Sequence, residues 1–209
     1  MITIVDYGVG NLSSIQNMLK RVGVLSAISS DPDVISNSNK LILPGVGAFD
    51  TCASRIRDSG LIDVLNQKVN DEKVPILGIC VGMQLMLSGS EEGKLPGLNW
   101  IKGRVVKFDE SDMPANSKIP HMGWTDVIPA HSSTLIEDIG ETPRFYFVHS
   151  YHAVLEDKAD ELLTAHYGYT FAAALQRDNI TGVQFHPEKS HRFGMKLLEN
   201  FAASAYEKD

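Results

Sequence analysis

The stretch Leu77-Gly78-Ile79-Cys80-Val81-Gly82 decides how this chain is read. It ends a short apolar run, Ile76–Ile79, and leads at once into the helix-like Met83–Leu87. A strand that turns directly into a helix is the building step of α/β folds, in which strands alternate with helices. The Gly-x-Cys-x-Gly frame suits a sharp, strained turn, because side chains at the flanking positions would collide with neighbouring backbone. This strand–turn–helix setting is that of a nucleophile elbow, with Cys in place of Ser. The turn aims Cys80 at the N-terminus of the next helix. There the helix dipole favours thiolate, the reactive form. A small cysteine buried in a core strand is the competing reading of the same five residues.

The alternation extends outward from this point. Ile2–Val5 reads as a buried strand, followed by helical spacing at Leu12, Ile15, Leu19 and Val22. Leu41–Leu43 is a further strand, ended by Pro44-Gly45. Helical spacing returns at Ile56, Leu61, Ile62, Leu65 and Val69, with a break near Gly60. The second half is richer in short β-like runs: Arg104–Phe108, Thr125–Ile128, Phe145–Val148, Ala172–Gln176 and Gly182–Phe185. Segment 109–118 is polar and reads as a surface loop. A final helix places Phe193, Leu197, Leu198, Phe201 and Ala205 on one face. No repeat, low-complexity tract or linker interrupts the pattern. The expectation is one α/β domain over residues 1–209, three-layered, with a mostly parallel central sheet and an additional antiparallel strand region.

Composition narrows the function classes. The 209 residues carry 19 Lys and Arg against 26 Asp and Glu, a formal net charge of −7. No basic patch or stripe of a nucleic-acid binder is visible. No apolar run approaches the ~20 residues of a membrane helix. Met1-Ile2-Thr3-Ile4-Val5-Asp6 lacks a basic leader and meets an acid at once, so no signal peptide is expected. Two cysteines, Cys52 and Cys80, make no disulfide framework, and the cytoplasm is the expected compartment.

A cysteine nucleophile needs a base, and the base needs an orienting group. Of seven histidines, the strongest candidate lies in Gly182-Val183-Gln184-Phe185-His186-Pro187-Glu188. Pro187 holds His186 to an extended backbone. Alternation along an extended chain would put Glu188 on the same side as His186. A carboxylate there fixes the imidazole tautomer and raises its basicity. A strand-capping histidine beside a solvated glutamate is the plain alternative. Leu43-Pro44-Gly45-Val46-Gly47-Ala48 is a Gly-rich loop after a strand. It lacks the Gly-Lys-Ser/Thr ending of a P-loop. Its use would be an oxyanion hole built from Gly45, Val46 and Gly47, with the Val81 N–H as a further donor. A tight strand–helix turn also fits.

Other motifs lead nowhere further. Gly8-Val9-Gly10 invites a dinucleotide reading, but Ser13 occupies the third glycine position and NAD is rejected. The His149/His152 pair has neither a His-Glu-x-x-His frame nor a cysteine cluster, so no metal and no cofactor is expected. Cys52, in a helix-like stretch, reads as a core thiol.

Taken together, the chain resembles the class I, triad-type glutamine amidotransferases. The similarity is greatest to the glutaminase subunits of imidazole glycerol phosphate synthases. It rests on Asp6–Asn11, Pro44–Gly47, Gly78–Gln84, Pro120-His121-Met122-Gly123-Trp124, Tyr146–Tyr151 and Gly182–Ser190, in the family's order and over essentially the whole length. The Pro-Gly-Val-Gly form of the loop is the informative one, since most of the wider class carries Pro-Gly-Gly. The resemblance implies a flavodoxin-like fold and a triad of Cys80, His186 and Glu188. It also implies that Gln84 and Glu92 hold the substrate glutamine, with Glu92 on the α-ammonium, and that backbone near Ser150 and Tyr151 binds the α-carboxylate.

The implied partner is a (βα)8-barrel cyclase subunit forming a heterodimer and receiving the ammonia. Asn11, Pro120, His121, Met122, Trp124 and Lys189 match family segments that face it. Trp124 would be an aromatic anchor, and Lys189 would stand near the mouth of the site. The segments 95–101 and 190–194 are also similar to a paralogous branch whose ammonia amidates bacterial surface sugars. A stand-alone cysteine hydrolase is a third reading, although Gln84 and Glu92 speak against it.

Overall fold

Two neighbouring strands, β3 (Lys40–Gly45) and β4 (Ile76–Cys80), are buried at every position. A strand buried on both faces must be covered on both, which is why these segments read as unbroken apolar runs. The computed structural model of the protein describes residues 1–114 and 117–204. Its remaining elements, in chain order, are β1 (Ile2–Val5), α1 (Leu12–Arg21), β2 (Ser26–Ser29), α2 (Pro32–Ser36), α3 (Phe49–Asp58), α4 (Ile62–Asn66), α5 (Val81–Leu85), β5 (Gly103–Lys107), β6 (His121–Pro129), β7 (Arg144–His149), β8 (Tyr151–Leu155), β9 (Glu161–Tyr167), β10 (Tyr169–Arg177), β11 (Ile180–Val183) and α6 (His191–Ala203).

The strands form an 11-stranded sheet in the order β2-β1-β3-β4-β11-β10-β9-β6-β7, with β5 and β8 off this path. From β2 to β11 neighbouring strands pair in parallel. From β11 onward every pairing is antiparallel. The antiparallel region is therefore larger than the sequence pattern indicates. β8 and β9 leave no strand signal in the sequence, because their histidines, glutamates and threonines blur the alternation. The expected strand Gly182–Phe185 lies two residues earlier, at β11, since Gln184 and Phe185 leave the β4 ladder. The helix after Cys80 begins at Val81, not Met83.

Helices form where the apolar spacing says they should. α1 buries Ile15, Met18 and Leu19, at helical intervals, and places Lys20 and Arg21 in its last turn, where cations suit the dipole. α6 buries Phe193, Leu197, Leu198 and Phe201 and packs against α1. Ala205, assigned to the same face, lies outside the described residues. The break at Gly60 (φ +72°) separates α3 from α4. Loop 109–118 holds a short 3-10 turn at Glu110–Asp112, and Ala115 and Asn116 within it lie outside the described residues. Among the described residues no helix is long and apolar enough to cross a membrane.

Candidate active site

Cys80 is the last residue of β4 and the residue before α5, with φ +55° and ψ −113°. A non-glycine side chain in that region is strained and is kept only where its surroundings impose it. The two flanking glycines show what imposes it. A Cβ on Gly82 would lie 1.9 Å from the Leu43 carbonyl oxygen, and one on Gly78 would lie 2.8 Å from the Met83 backbone. Strand β3 and helix α5 thus approach backbone to backbone, and only glycine allows it. Gly45, opposite Cys80 in the ladder, is pinned the same way: its Cβ would meet the Gly82 nitrogen at 2.5 Å.

His186 follows β11 and is buried. Its Nδ1 lies 2.8 Å from Glu188 Oε1, and the Glu188 side chain is only 1% exposed. The two meet by a different route from the one expected. His186 itself is extended, but Pro187–Lys189 forms a 3-10 turn, so the turn and not strand alternation brings Glu188 back to the ring. Ser190 holds this turn in place. Its hydroxyl donates to the His186 carbonyl at 2.6 Å and accepts from the Tyr146 N–H at 3.0 Å, while the His186 N–H donates to the Tyr146 carbonyl.

Burial by itself would pull the His186 pKa down. Hydrogen bonds and charge from Cys80 and Glu188 outweigh it, and the imidazole is pushed up to about 10. A group poised this way beside a sulfur can hold or deliver a proton at neutral pH.

Cys80 and His186 open onto a cleft of about 360 Å³. Its walls are Val46, Gly47, Val81, Gln84, Glu92, Pro120, Val148, His149, Ser150, Tyr151 and Lys189. The cleft therefore collects residues from loops after β3, β4, β7 and β11 and from the turn bearing Glu92. Gly45 and Glu188 stand behind the wall rather than in it.

A model of the family described as glutamine amidotransferase class-I matches residues 3–205. The chain is 52% identical to the imidazole glycerol phosphate synthase subunit HisH 2 of Methanococcus maripaludis, over 98% of this chain and 100% of the relative. It is 50% identical to the protein of the same name from Pseudomonas aeruginosa, over 96% of this chain and 98% of that one. Among solved structures, PurLQS from Thermotoga maritima superposes with a TM-score of 0.72 at 19% identity, each chain covered to 96%. A glutamine amidotransferase from Thermotoga maritima gives 0.61 at 14% identity, covering 95% of this chain and 80% of the other. These last two show the fold. The chain belongs to the class-I glutamine amidotransferase family.

In this amidotransferase the expected glutamine-binding residues are differently engaged. Gln84 is buried and its Nε2 donates to Gln184 Oε1 at 3.0 Å and to the Tyr151 carbonyl at 3.4 Å. Glu92 is exposed at the cleft rim. Its Oε2 accepts from the Phe49 N–H, the first residue of α3, at 2.8 Å. Gln184 is a residue that sequence reasoning misses. It is fully buried, and its Nε2 donates toward Cys80 Sγ at 3.7 Å. A glutamine inside an otherwise apolar run is the available signal.

The residues assigned to a partner separate. Pro120 and Lys189 are exposed at the cleft, and Lys189 Nζ sits 5.7 Å over the Tyr146 ring. Met122 and Trp124 are 61% and 42% exposed on β6, with Trp124 stacked on His191 at 5.5 Å. Asn11 is half-buried at the start of α1 and is not one of the residues that wall the cleft.

His121 does not belong with them. It is buried, stacked between Phe147 and Tyr167, and bonded to His149 at 3.0 Å and Thr125 at 2.7 Å. Strand alternation turns it inward while Met122 points out. Burial holds His121 down to about 4 and His149 down to about 3, so this pair is neutral at physiological pH.

Proposed function

We propose that this chain is the glutaminase subunit of an imidazole glycerol phosphate synthase. It hydrolyses glutamine to glutamate and ammonia and passes the ammonia to a (βα)8-barrel cyclase partner in histidine biosynthesis. The observation that carries this reading is Cys80, strained on its elbow, opening onto the same cleft as His186, whose Nδ1 is bonded to Glu188. The names of the relatives support the choice of pathway. We read residues 1–209 as one amidotransferase domain working in the cytoplasm as half of a heterodimer.

Cys80 thiolate attacks the side-chain carbonyl carbon of glutamine. The carbonyl π pair moves to oxygen, and that oxyanion faces N–H groups of Val81 and the Gly45–Gly47 loop. The tetrahedral intermediate collapses as the C–N bond breaks, and His186 delivers a proton to the departing nitrogen. This leaves ammonia and a γ-glutamyl thioester. His186 then takes a proton from water as the water attacks the thioester, and glutamate leaves with Cys80 restored. Glu188 fixes the imidazole tautomer through Nδ1 and stabilises its charged form. Glu92 takes the α-ammonium with its free oxygen, Gln84 helps seat the substrate, and backbone at Ser150 and Tyr151 takes the α-carboxylate. Pro120, Met122, Trp124 and Lys189 form the rim presented to the cyclase.

The test is ammonia release from glutamine by wild type and Cys80→Ala, with and without the cyclase and its nucleotide ligand. Weak activity of the lone chain, a sharp rise with the liganded cyclase and loss in the variant are expected. Cys80-dependent release that ignores this cyclase would move the assignment to the surface-sugar branch or to a lone hydrolase. No Cys80-dependent release at all would overturn the enzyme reading.

A further inference from the structure

Two side chains outside the cleft hold two carbonyls of the Pro44–Gly47 loop, those of Pro44 and Val46. The Tyr7 phenol, buried after β1, donates to the Pro44 carbonyl at 2.5 Å. The Cys52 thiol, fully buried in α3, donates to the Val46 carbonyl at 3.4 Å. Neither residue belongs to the cleft wall formed by Val46, Gly47 and Cys80.

A peptide unit is planar and trans, so its N–H points opposite to its C=O. Fixing the Val46 carbonyl toward α3 therefore turns the Gly47 N–H away from α3. Fixing the Pro44 carbonyl toward Tyr7 sets the Gly45 N–H in the same manner. Gly47 has φ +87° and open space where a Cβ would stand, so sterics alone do not define its peptide. Hydrogen bonding must do so. Burial raises the pKa of both Tyr7 and Cys52, which keeps the phenol and the thiol protonated and able to donate.

We propose that Tyr7 and Cys52 are positioning residues that fix the Pro44–Gly45 and Val46–Gly47 peptides of the loop for the oxyanion of glutamine hydrolysis. The inference rests on the glutaminase reading above. It assigns a task to Cys52 beyond that of a core thiol and to Tyr7 beyond the turn after the first strand. Neither touches substrate. They act through the loop backbone, so their loss weakens the transition state and leaves ground-state binding alone.

The experiment compares wild type, Tyr7→Phe, Cys52→Ala, Cys52→Ser and the Tyr7→Phe/Cys52→Ala double variant, each in complex with the cyclase and its nucleotide. Three quantities are read: kcat and KM for glutamine, and the rate at which iodoacetamide alkylates Cys80, followed by peptide mass. Alkylation is a displacement at carbon that forms no oxyanion, so it reports on Cys80 without the loop.

Removing a direct oxyanion donor costs ~10²–10³ in rate. A positioning pair should cost less, on the order of tenfold in kcat for the double variant. KM and the alkylation rate should stay within about twofold of wild type, and Cys52→Ser, which keeps a donor, should retain more activity than Cys52→Ala. An unchanged kcat in the double variant would overturn the proposal. So would a parallel fall in kcat and alkylation, which would mark a general disturbance of the elbow. Wild type without Cys80-dependent ammonia release would instead overturn the underlying glutaminase reading.

Discussion

In the parallel half of the sheet, the reacting groups of the proposed mechanism stand at the carboxyl ends of three adjacent strands. Pro44–Gly47 lies at the end of β3, Cys80 ends β4, and His186 follows β11. In the antiparallel half, by contrast, strands run both ways and no such set of ends accumulates on one side. That half supplies walls: Val148, His149, Ser150 and Tyr151 around the β7–β8 junction, and Pro120 ahead of β6. The difference teaches why the chemistry is where it is. Parallel strands bring all their carboxyl ends, and the loops after them, to one edge, so nucleophile, oxyanion donors and acid/base converge without long excursions of the chain.

Cys80 carries the largest expected effect. Cys80→Ala should lower ammonia release by the cyclase complex ~10³-fold or more, in line with losses seen on removing a nucleophile. Its melting temperature and circular dichroism should be kept. Release that survived would move the chemistry out of the parallel half.

Gly82→Ala attacks the packing that makes the elbow. The added Cβ meets the Leu43 carbonyl at 1.9 Å, so β3 and α5 must separate. A loss of about 3 kcal/mol is expected, at the upper end of overpacking penalties. A urea midpoint equal to wild type would show that the approach of β3 and α5 is not the constraint.

Glu188→Gln keeps the shape behind His186 and removes the charge. A fall in kcat on the order of 10²-fold or more is expected, within the ~10²–10⁴ that acid–base catalysis supplies, since the imidazolium loses its counter-charge. With Glu188 present, His186 stays protonated up to about 10. The alkaline limb of the kcat/KM profile should therefore move to lower pH in the variant. A limb that did not move would detach Glu188 from His186.

The antiparallel half is tested by acid. His121 and His149 titrate at about 4 and about 3 in the folded protein, against a usual value of 6.5. Both folded values lie below the unfolded one. The stability this pair contributes is thus complete above about pH 6.5 and is lost as pH falls toward 4 and then 3. Urea midpoints measured from pH 7 to pH 4 should fall steeply in wild type and less steeply in His121→Phe. Equal slopes would remove the histidine pair as the cause.

Trp124→Ala is the mildest change. The lone chain should lose no more than about 0.5 kcal/mol, as for an ordinary surface site. Affinity for the cyclase, measured by titration calorimetry, should fall about tenfold, as for an interface anchor. Unchanged affinity would place the rim elsewhere.

Legibility in the sequence follows the same division. Strands covered on both faces leave unbroken apolar runs, so β1, β3 and β4 are plain from Ile2–Val5, Leu41–Leu43 and Ile76–Ile79. Strands with one wet face and histidines turned inward, such as β8 with His152, give no clean run. The site divides in the same way. Gly78 and Gly82 announce Cys80, because backbone contact leaves a mark that only glycine can satisfy. His121 carries no mark to separate it from Met122, since the direction of a side chain depends on which face the sheet buries.

The residues alone were enough to find β1, β3 and β4, the elbow at Cys80, the candidacy of His186 with Glu188, and the family, whereas β2 (Ser26–Ser29) and α2 (Pro32–Ser36) went unread. Local sterics and apolar periodicity write the former into neighbouring residues. Tertiary structure alone decided that a 3-10 turn, anchored by Ser190, returns Glu188 to the imidazole. It also decided that Gln184 reaches the Cys80 sulfur and that Tyr7 and Cys52 hold two carbonyls of the glycine loop. Gln184 with Cys80 and Tyr7 with Pro44 join residues far apart in the chain, and the nearer contacts depend on turns; neither leaves a periodic trace for a sequence to display.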